Sequence, residues 1–178
     1  DCDDNQLTDI PNIKGLYILD CQHNQLTDIP NIKGLKELYC RHNQLTEIPN
    51  IKGLQGLWCG NNLLTKIPHI KDLQELWCRN NLLTCIPNII GLMILNCSNN
   101  QLTEIPNIKG LQELYCCNNQ FIFNFYNSIS KWDMYHKSKF EYQNKLLFID
   151  NINLISDIRH LLKNRLTELF NDHCFNLI

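Results

Sequence analysis

Asparagine returns at a strict step of 19 residues, at Asn5, Asn24, Asn43, Asn62, Asn81, Asn100 and Asn119. Cysteine keeps the same step at Cys2, Cys21, Cys40, Cys59, Cys78, Cys97 and Cys116, and proline keeps it at Pro11, Pro30, Pro49, Pro68, Pro87 and Pro106. A fixed period near 20 residues marks one small unit stacked on copies of itself. The chain is therefore expected to form a solenoid, and any function must be read from its surface columns.

A full unit reads L-x-x-L-x-C-x-x-N-x-L-T-x-I-P-N-I-K-G, as in Leu35 to Gly53. Leu35, Leu38 and Cys40 supply the alternation of a strand that buries one face. Asn43 then turns the chain, Leu45 points back inward, and Ile48 and Ile51 close the unit. Pro49 removes a backbone donor and fixes φ, so the return leg should be extended or polyproline-like rather than helical. Gly53 lets the chain turn into the next strand. A lone unit cannot offset the entropy of ordering its own backbone, so the units must stack and the ends must be capped.

Two columns read as structural ladders: Asn24, Asn43, Asn62, Asn81, Asn100 and Asn119, and Cys21, Cys40, Cys59, Cys78, Cys97 and Cys116. A buried carboxamide can donate to and accept from turn backbone, and leaving it unpaired costs about 1–3 kcal/mol. The cysteines occupy an otherwise apolar position, where free Cys acts as a small hydrophobe. In-register thiols on parallel strands point the same way rather than at one another, against disulfide geometry. The ten cysteines therefore suggest a reduced, intracellular setting rather than a disulfide scaffold.

The repeat resembles the leucine-rich repeat, with Cys where many members carry Leu. Its tail L-T-x-I-P-N-I-K-G is similar to the short repeats of secreted bacterial effectors, and closer still to leucine-rich repeat proteins of large DNA viruses that infect amoebae. The resemblance covers residues 1–121, with about six full repeats and a truncated first one. It implies an α/β-class leucine-rich repeat solenoid with a curved parallel sheet on the concave side. The short period implies an extended, helix-free convex side.

After Asn119 the pattern decays, and residues 122–178 are expected to form a helical cap over the last repeat, the alternative being a separate docking element. Ser130 and Asp133 resemble a capping box that opens a helix from Lys131. Ile155, Ile158, Leu162, Leu166 and Leu169 share a helical spacing across 154–171. The chain starts in mid-repeat without Met, so a piece of a longer protein is expected.

Function is sought in the strand residues that face outward. One column holds Ile18, Glu37, Gly56, Glu75, Ile94 and Glu113; the next holds Asp20, Tyr39, Trp58, Trp77, Asn96 and Tyr115; the third holds Gln22, Arg41, Gly60, Arg79, Ser98 and Cys117. Tyr39, Trp58 and Trp77 fall on successive strands, with Gly56 and Gly60 leaving space beside Trp58. Aromatics with Arg compose an interaction hot spot. Cross-strand packing that only stabilises the sheet, at about 0.2–1 kcal/mol per pair, is the alternative reading. A second, weaker candidate gathers Cys85, Ile90, Met93 and Ile94 at normally polar positions, which repeat drift also explains.

The other classes find little support. A net charge of −2 argues against nucleic acid or an anionic membrane as partner. The longest stretch without a polar side chain, Ile89 to Leu95, is far too short to span a membrane. The column Lys14, Lys33, Lys52, Lys71 and Lys109 is balanced by Asp9, Asp28, Glu47 and Glu104 upstream. His23 and His42 lie near Cys21 and Cys40, but a ladder sets ligands in a line, whereas zinc needs four that converge.

Some effectors with similar repeats append a ubiquitin ligase domain with a C-x-D nucleophile motif. Here Cys174 is followed by Phe175 and Asn176, and the tail is too short for that domain. Asp172, His173 and Cys174 are merely adjacent, which does not make a catalytic arrangement. The expectation is a non-enzymatic module without cofactor or metal, cytoplasmic, that binds a protein partner on its concave face. The resemblance implies a host protein as target. The alternative is the substrate-recognition part of a ubiquitin ligase with an F-box segment outside this sequence. No role is assigned to Cys85, Cys117 or Cys174.

Overall fold

Alternation along Leu35, Leu38 and Cys40 forms a short strand in every repeat, and the strict period pairs each strand with the next. The computed structural model describes residues 1–120, which belong to one compact unit. Its strands are β1 (Ile18–Asp20), β2 (Glu37–Tyr39), β3 (Gly56–Trp58), β4 (Glu75–Trp77), β5 (Ile94–Asn96) and β6 (Glu113–Tyr115). They form one parallel sheet in sequential order, and each residue pairs with the one 19 positions on, as in Leu38 with Leu57 and Tyr39 with Trp58. Phe121, the capping-box residues, the 154–171 segment and Cys174 lie outside the described residues.

Among the described residues the return legs contain neither helix nor strand. Pro49 explains part of this, since it cannot donate to a ladder. The leg is instead pinned by tight turns, with Ile51 N–H donating to Pro49 O at 2.9 Å and Leu54 N–H to Ile51 O at 3.3 Å. Gly53 there has φ 85, in the left-handed region that glycine enters without steric cost. The inward columns are sealed: Leu35, Leu38, Cys40, Leu45 and Ile51 are fully buried, and Ile48 nearly so.

The reversal after each strand differs in detail from the expected one. The left-handed residue is not the ladder asparagine but the one before it, His42 at φ 53, with His23, Asn61, Asn80, Asn99 and Asn118 alike. Asn, Asp and His tolerate this region better than most residues. The ladder asparagine then locks the turn from inside. Asn62 Nδ2 donates to Cys40 O (2.9 Å), Cys59 O (3.2 Å) and Gly60 O (3.3 Å), while its Oδ1 accepts from Leu45 N–H at 3.0 Å. Two of these groups belong to its own repeat and two to the repeat before it. Asn24, Asn43, Asn81, Asn100 and Asn119 repeat the pattern.

Burial also sets the chemistry of the cysteine column. It pushes the thiols of Cys21 and Cys59 up from 9.0 to about 12, and those of Cys40, Cys78 and Cys97 well above the ordinary range. The thiolate is the nucleophile, so these side chains are chemically silent packing groups. Cys85 and Cys117 are exposed.

Two measurements test this architecture. Asn81→Ala leaves the buried Leu64 N–H without its acceptor and should lower unfolding stability in urea by roughly 1–3 kcal/mol. Asn5→Ala should cost far less, because Asn5 is exposed and its side chain bonds to Cys2 O and Asp3 O within its own turn. Brief iodoacetamide treatment of the folded protein should modify Cys85 and Cys117 and spare Cys40, Cys59, Cys78 and Cys97 in a peptide map. A pKa raised on folding contributes stability that is complete below the unfolded value, so the fold should weaken as pH climbs from 9.0 towards 12.

Candidate functional site

The face of the sheet opposite the core carries three columns, and the side chains in them are sorted by charge. Acidic Glu37, Glu75 and Glu113 begin their strands, aromatic residues end them, and Arg41 and Arg79 follow two positions later. Glu37 and Arg41 are four residues apart, about 13 Å in extended chain. The acidic edge is partly engaged within its own strands. Tyr39 Oη donates to Glu37 Oε2 at 2.9 Å and Tyr115 Oη to Glu113 Oε2 at 3.1 Å. Burial and the Glu37 hydrogen bond push the Tyr39 hydroxyl up to about 12, and the Glu113 bond pushes up that of Tyr115.

The aromatic column is not the even stripe that the spacing suggests. Tyr39 and Trp58 stack face to face, with centroids 4.2 Å apart and planes 7° from parallel. Trp77 pairs instead with Tyr115, two strands away, at 5.9 Å and 26°. The intervening residue is Asn96, which is too small to separate the two rings. Tyr39, Trp58 and Trp77 remain half-exposed, and Tyr115 is exposed. The indole N–H of Trp77 is shielded from water and has no hydrogen-bond partner among the described residues.

The glycines do not leave the expected space. A Cβ on Gly56 would fall 2.3 Å from Trp58 Cζ3, because the indole folds back over its own strand and fills that site. At Gly60 a Cβ would meet Arg79 Cγ and Arg79 O, each at 3.2 Å. The Arg79 stem thus lies across Gly60 in the direction of Arg41. Among the described residues neither Arg41 nor Arg79 has an ion pair or a side-chain hydrogen bond. Burial, followed by the nearby Arg79 charge, lowers the Arg41 pKa.

A second amide column is not evident from the repeat consensus. Along the left-handed turn positions, Asn118 Nδ2 donates to Asn99 Oδ1 (2.6 Å), Asn99 to Asn80 (2.6 Å) and Asn80 to Asn61 (2.8 Å). Asn61 Nδ2 then meets His42 Nε2 at 3.2 Å, and the His42 ring stacks on His23 at 4.2 Å. The amides all point one way, so His42 must present a lone pair at Nε2 and carry its proton on Nδ1. The chain does carry a signal for this column: only Asp, His and Asn occupy it from residue 4 to residue 118.

Leu63 and Leu82 are also absent from the sequence-based candidates, yet they are exposed in a column that elsewhere holds Gln. The second candidate patch does not close into one surface of a single kind: Ile90 is 78% exposed and Cys85 exposed, whereas Met93 and Ile94 are half-buried. Ile90 borders a shallow groove of about 500 Å³ whose other walls include Lys36, Gln55, Lys71 and Asp72. Among the described residues no group of His, Cys, Asp and Glu could hold a metal ion, and no helix is long and apolar enough to cross a membrane.

Comparison with known proteins agrees with this architecture. Residues 33–72 match the family model of leucine-rich repeats in two copies. The fold is that of a leucine-rich repeat solenoid. It is similar to that of YopM from Yersinia enterocolitica, at 23% identity and a TM-score of 0.58, covering 73% of this chain and 33% of that one. It is also similar to a leucine-rich effector, YopM from Yersinia pestis, at 27% identity and 0.55, covering 66% and 42%. A leucine-rich repeat protein of Leptospira interrogans matches at 26% and 0.51, covering 73% and 35%. The chain thus spans between 33% and 42% of the length of these structures. No curated protein sequence matches it.

The His42 geometry gives a measurable outcome. Burial and the neighbouring His23, Arg79 and Arg41 charges lower its pKa below 6.5. For a pKa depressed on folding, stability is complete above the unfolded value and is lost as pH falls through the folded one. His42→Asn, which suits φ 53 and continues the amide column, should therefore reduce the loss of Tm between pH 7 and pH 5 relative to wild type. An equal loss in both proteins would count against this role for His42.

Proposed function

We propose that the protein is a non-enzymatic binding module that docks a protein partner on the open face of its sheet, through Tyr39, Trp58, Trp77 and Tyr115 with Arg41 and Arg79 beside them. Stacked repeats commonly present an extended surface of this kind. The observation that carries the reading is the composition of this face: large half-exposed rings next to guanidinium groups that make no ion pair among the described residues. Packing of the sheet alone gives no reason for the Trp77 indole N–H to go unpaired, since a buried Trp usually finds an acceptor. One of the similar structures is described as an effector, which supports a host-cell protein as the partner and the cytoplasm as the place of action.

The test is affinity capture from host-cell lysate with wild type and with Trp58→Ala/Trp77→Ala, followed by mass spectrometry. One protein should be recovered by wild type and lost with the double variant. The core residues behind the two rings are untouched, so the far-ultraviolet spectrum and the Asn ladder should survive. Equal recovery by a folded double variant would remove the aromatic column from the interface.

A further inference from the structure

The arginine edge of the open face has an unusual electrostatic arrangement. Position 60 lies between positions 41 and 79 on neighbouring repeats, joined by His42 N–H to Gly60 O at 3.1 Å and Asn61 N–H to Arg79 O at 2.9 Å. Gly60 has no side chain, and the Arg79 stem leans over it towards Arg41. Two like charges are brought together where the repeat could have kept them apart. The nearest acid of the aromatic column, Asp20, accepts three hydrogen bonds from Gln22, two from Nε2 at 3.0 and 3.1 Å and one from N–H at 3.3 Å, and attracts Arg41 only from beyond ion-pair distance. The imidazole of His42 is next in the chain after Arg41, and its proton is repelled by both arginines.

We propose that Arg41 and Arg79 clamp, across Gly60, a phosphorylated side chain of the protein partner. This deepens the docking reading and rests on it. Guanidinium is the group suited to paired hydrogen bonds with oxyanions. A phosphate monoester carries a charge of about −1.5 to −2 at neutral pH, which balances two arginines where a single carboxylate would not. The opposite edge argues against a nucleic acid strand, since a polyanion laid on this face would also meet Glu37, Glu75 and Glu113. An isolated phosphoester on a polypeptide places its charge at one edge and leaves the aromatic column for the apolar side chains around it.

Titration of ¹⁵N-labelled protein with inorganic phosphate and with O-phosphoserine, at constant ionic strength, tests this without any partner. Backbone signals of Arg41, Gly60 and Arg79 should shift together and saturate. Arg41→Gln/Arg79→Gln should weaken binding at least tenfold at unchanged Tm, and Trp58→Ala/Trp77→Ala should still bind phosphate. Shifts that spread along Lys33, Lys52 and Lys71, or that persist in the arginine variant, would overturn the proposal. So would equal binding of acetate. If the aromatic variant loses the captured protein while the arginine variant keeps it, docking on this face stands and the phosphate clamp falls.

Discussion

One carboxamide per repeat holds the whole stack in register. Each ladder asparagine shares its two hydrogens among three carbonyls and accepts one N–H, and half of those backbone groups belong to the preceding repeat. The polar atoms of a tight reversal are thereby satisfied inside an otherwise apolar interior, where leaving them unmade would be costly. Among the described residues the far side carries no helix: its legs are pinned by buried isoleucines and by short turns such as Ile51 N–H to Pro49 O, while the clamp satisfies the reversal. The strands can then be as short as three residues and still align six deep.

Register in the interior dictates what the open face can show. Because every position sits beside the same position of the next repeat, a column is a chemical sentence written one residue per strand. The core columns tolerate almost no variation, and Leu38, Leu57, Leu76 and Leu95 are all fully buried. Variation is concentrated in the outward positions, and there the glutamates and the guanidinium groups fall on opposite edges with the rings and Asp20 between them. That separation gives the surface a direction across the strands, which an evenly mixed surface would lack.

The strands, their order and pairing, the inward columns and the structural asparagines are all legible in the chain, because they depend on period alone. What period does not encode is how a side chain leans. Trp58 folds over Gly56 and Arg79 over Gly60, so two apparent vacancies are filled by neighbours. Trp77 bypasses Asn96 to reach Tyr115, a partner two repeats on that nearest-neighbour reasoning does not consider. The left-handed turn lies one residue before the invariant asparagine, at a position that runs from Asp4 through His23 and His42 to four asparagines, a signal that shows only when tolerance of positive φ is considered in place of residue identity. The division of the chain near residue 121 and the helical reading of residues 122–178 concern positions outside those described.

The parallel pairing of position i with position i+19 has a consequence for how such a chain can change in length. Loss or gain of one whole unit re-forms every clamp with a new neighbour, whereas a shift of a single residue would set asparagines against the wrong carbonyls from that point onward. Growth is therefore quantised. Removing the repeat that contains Trp58 would bring Tyr39 beside Trp77 and Arg41 beside Arg79, so a change in repeat number recomposes the outward face while the interior reads as before.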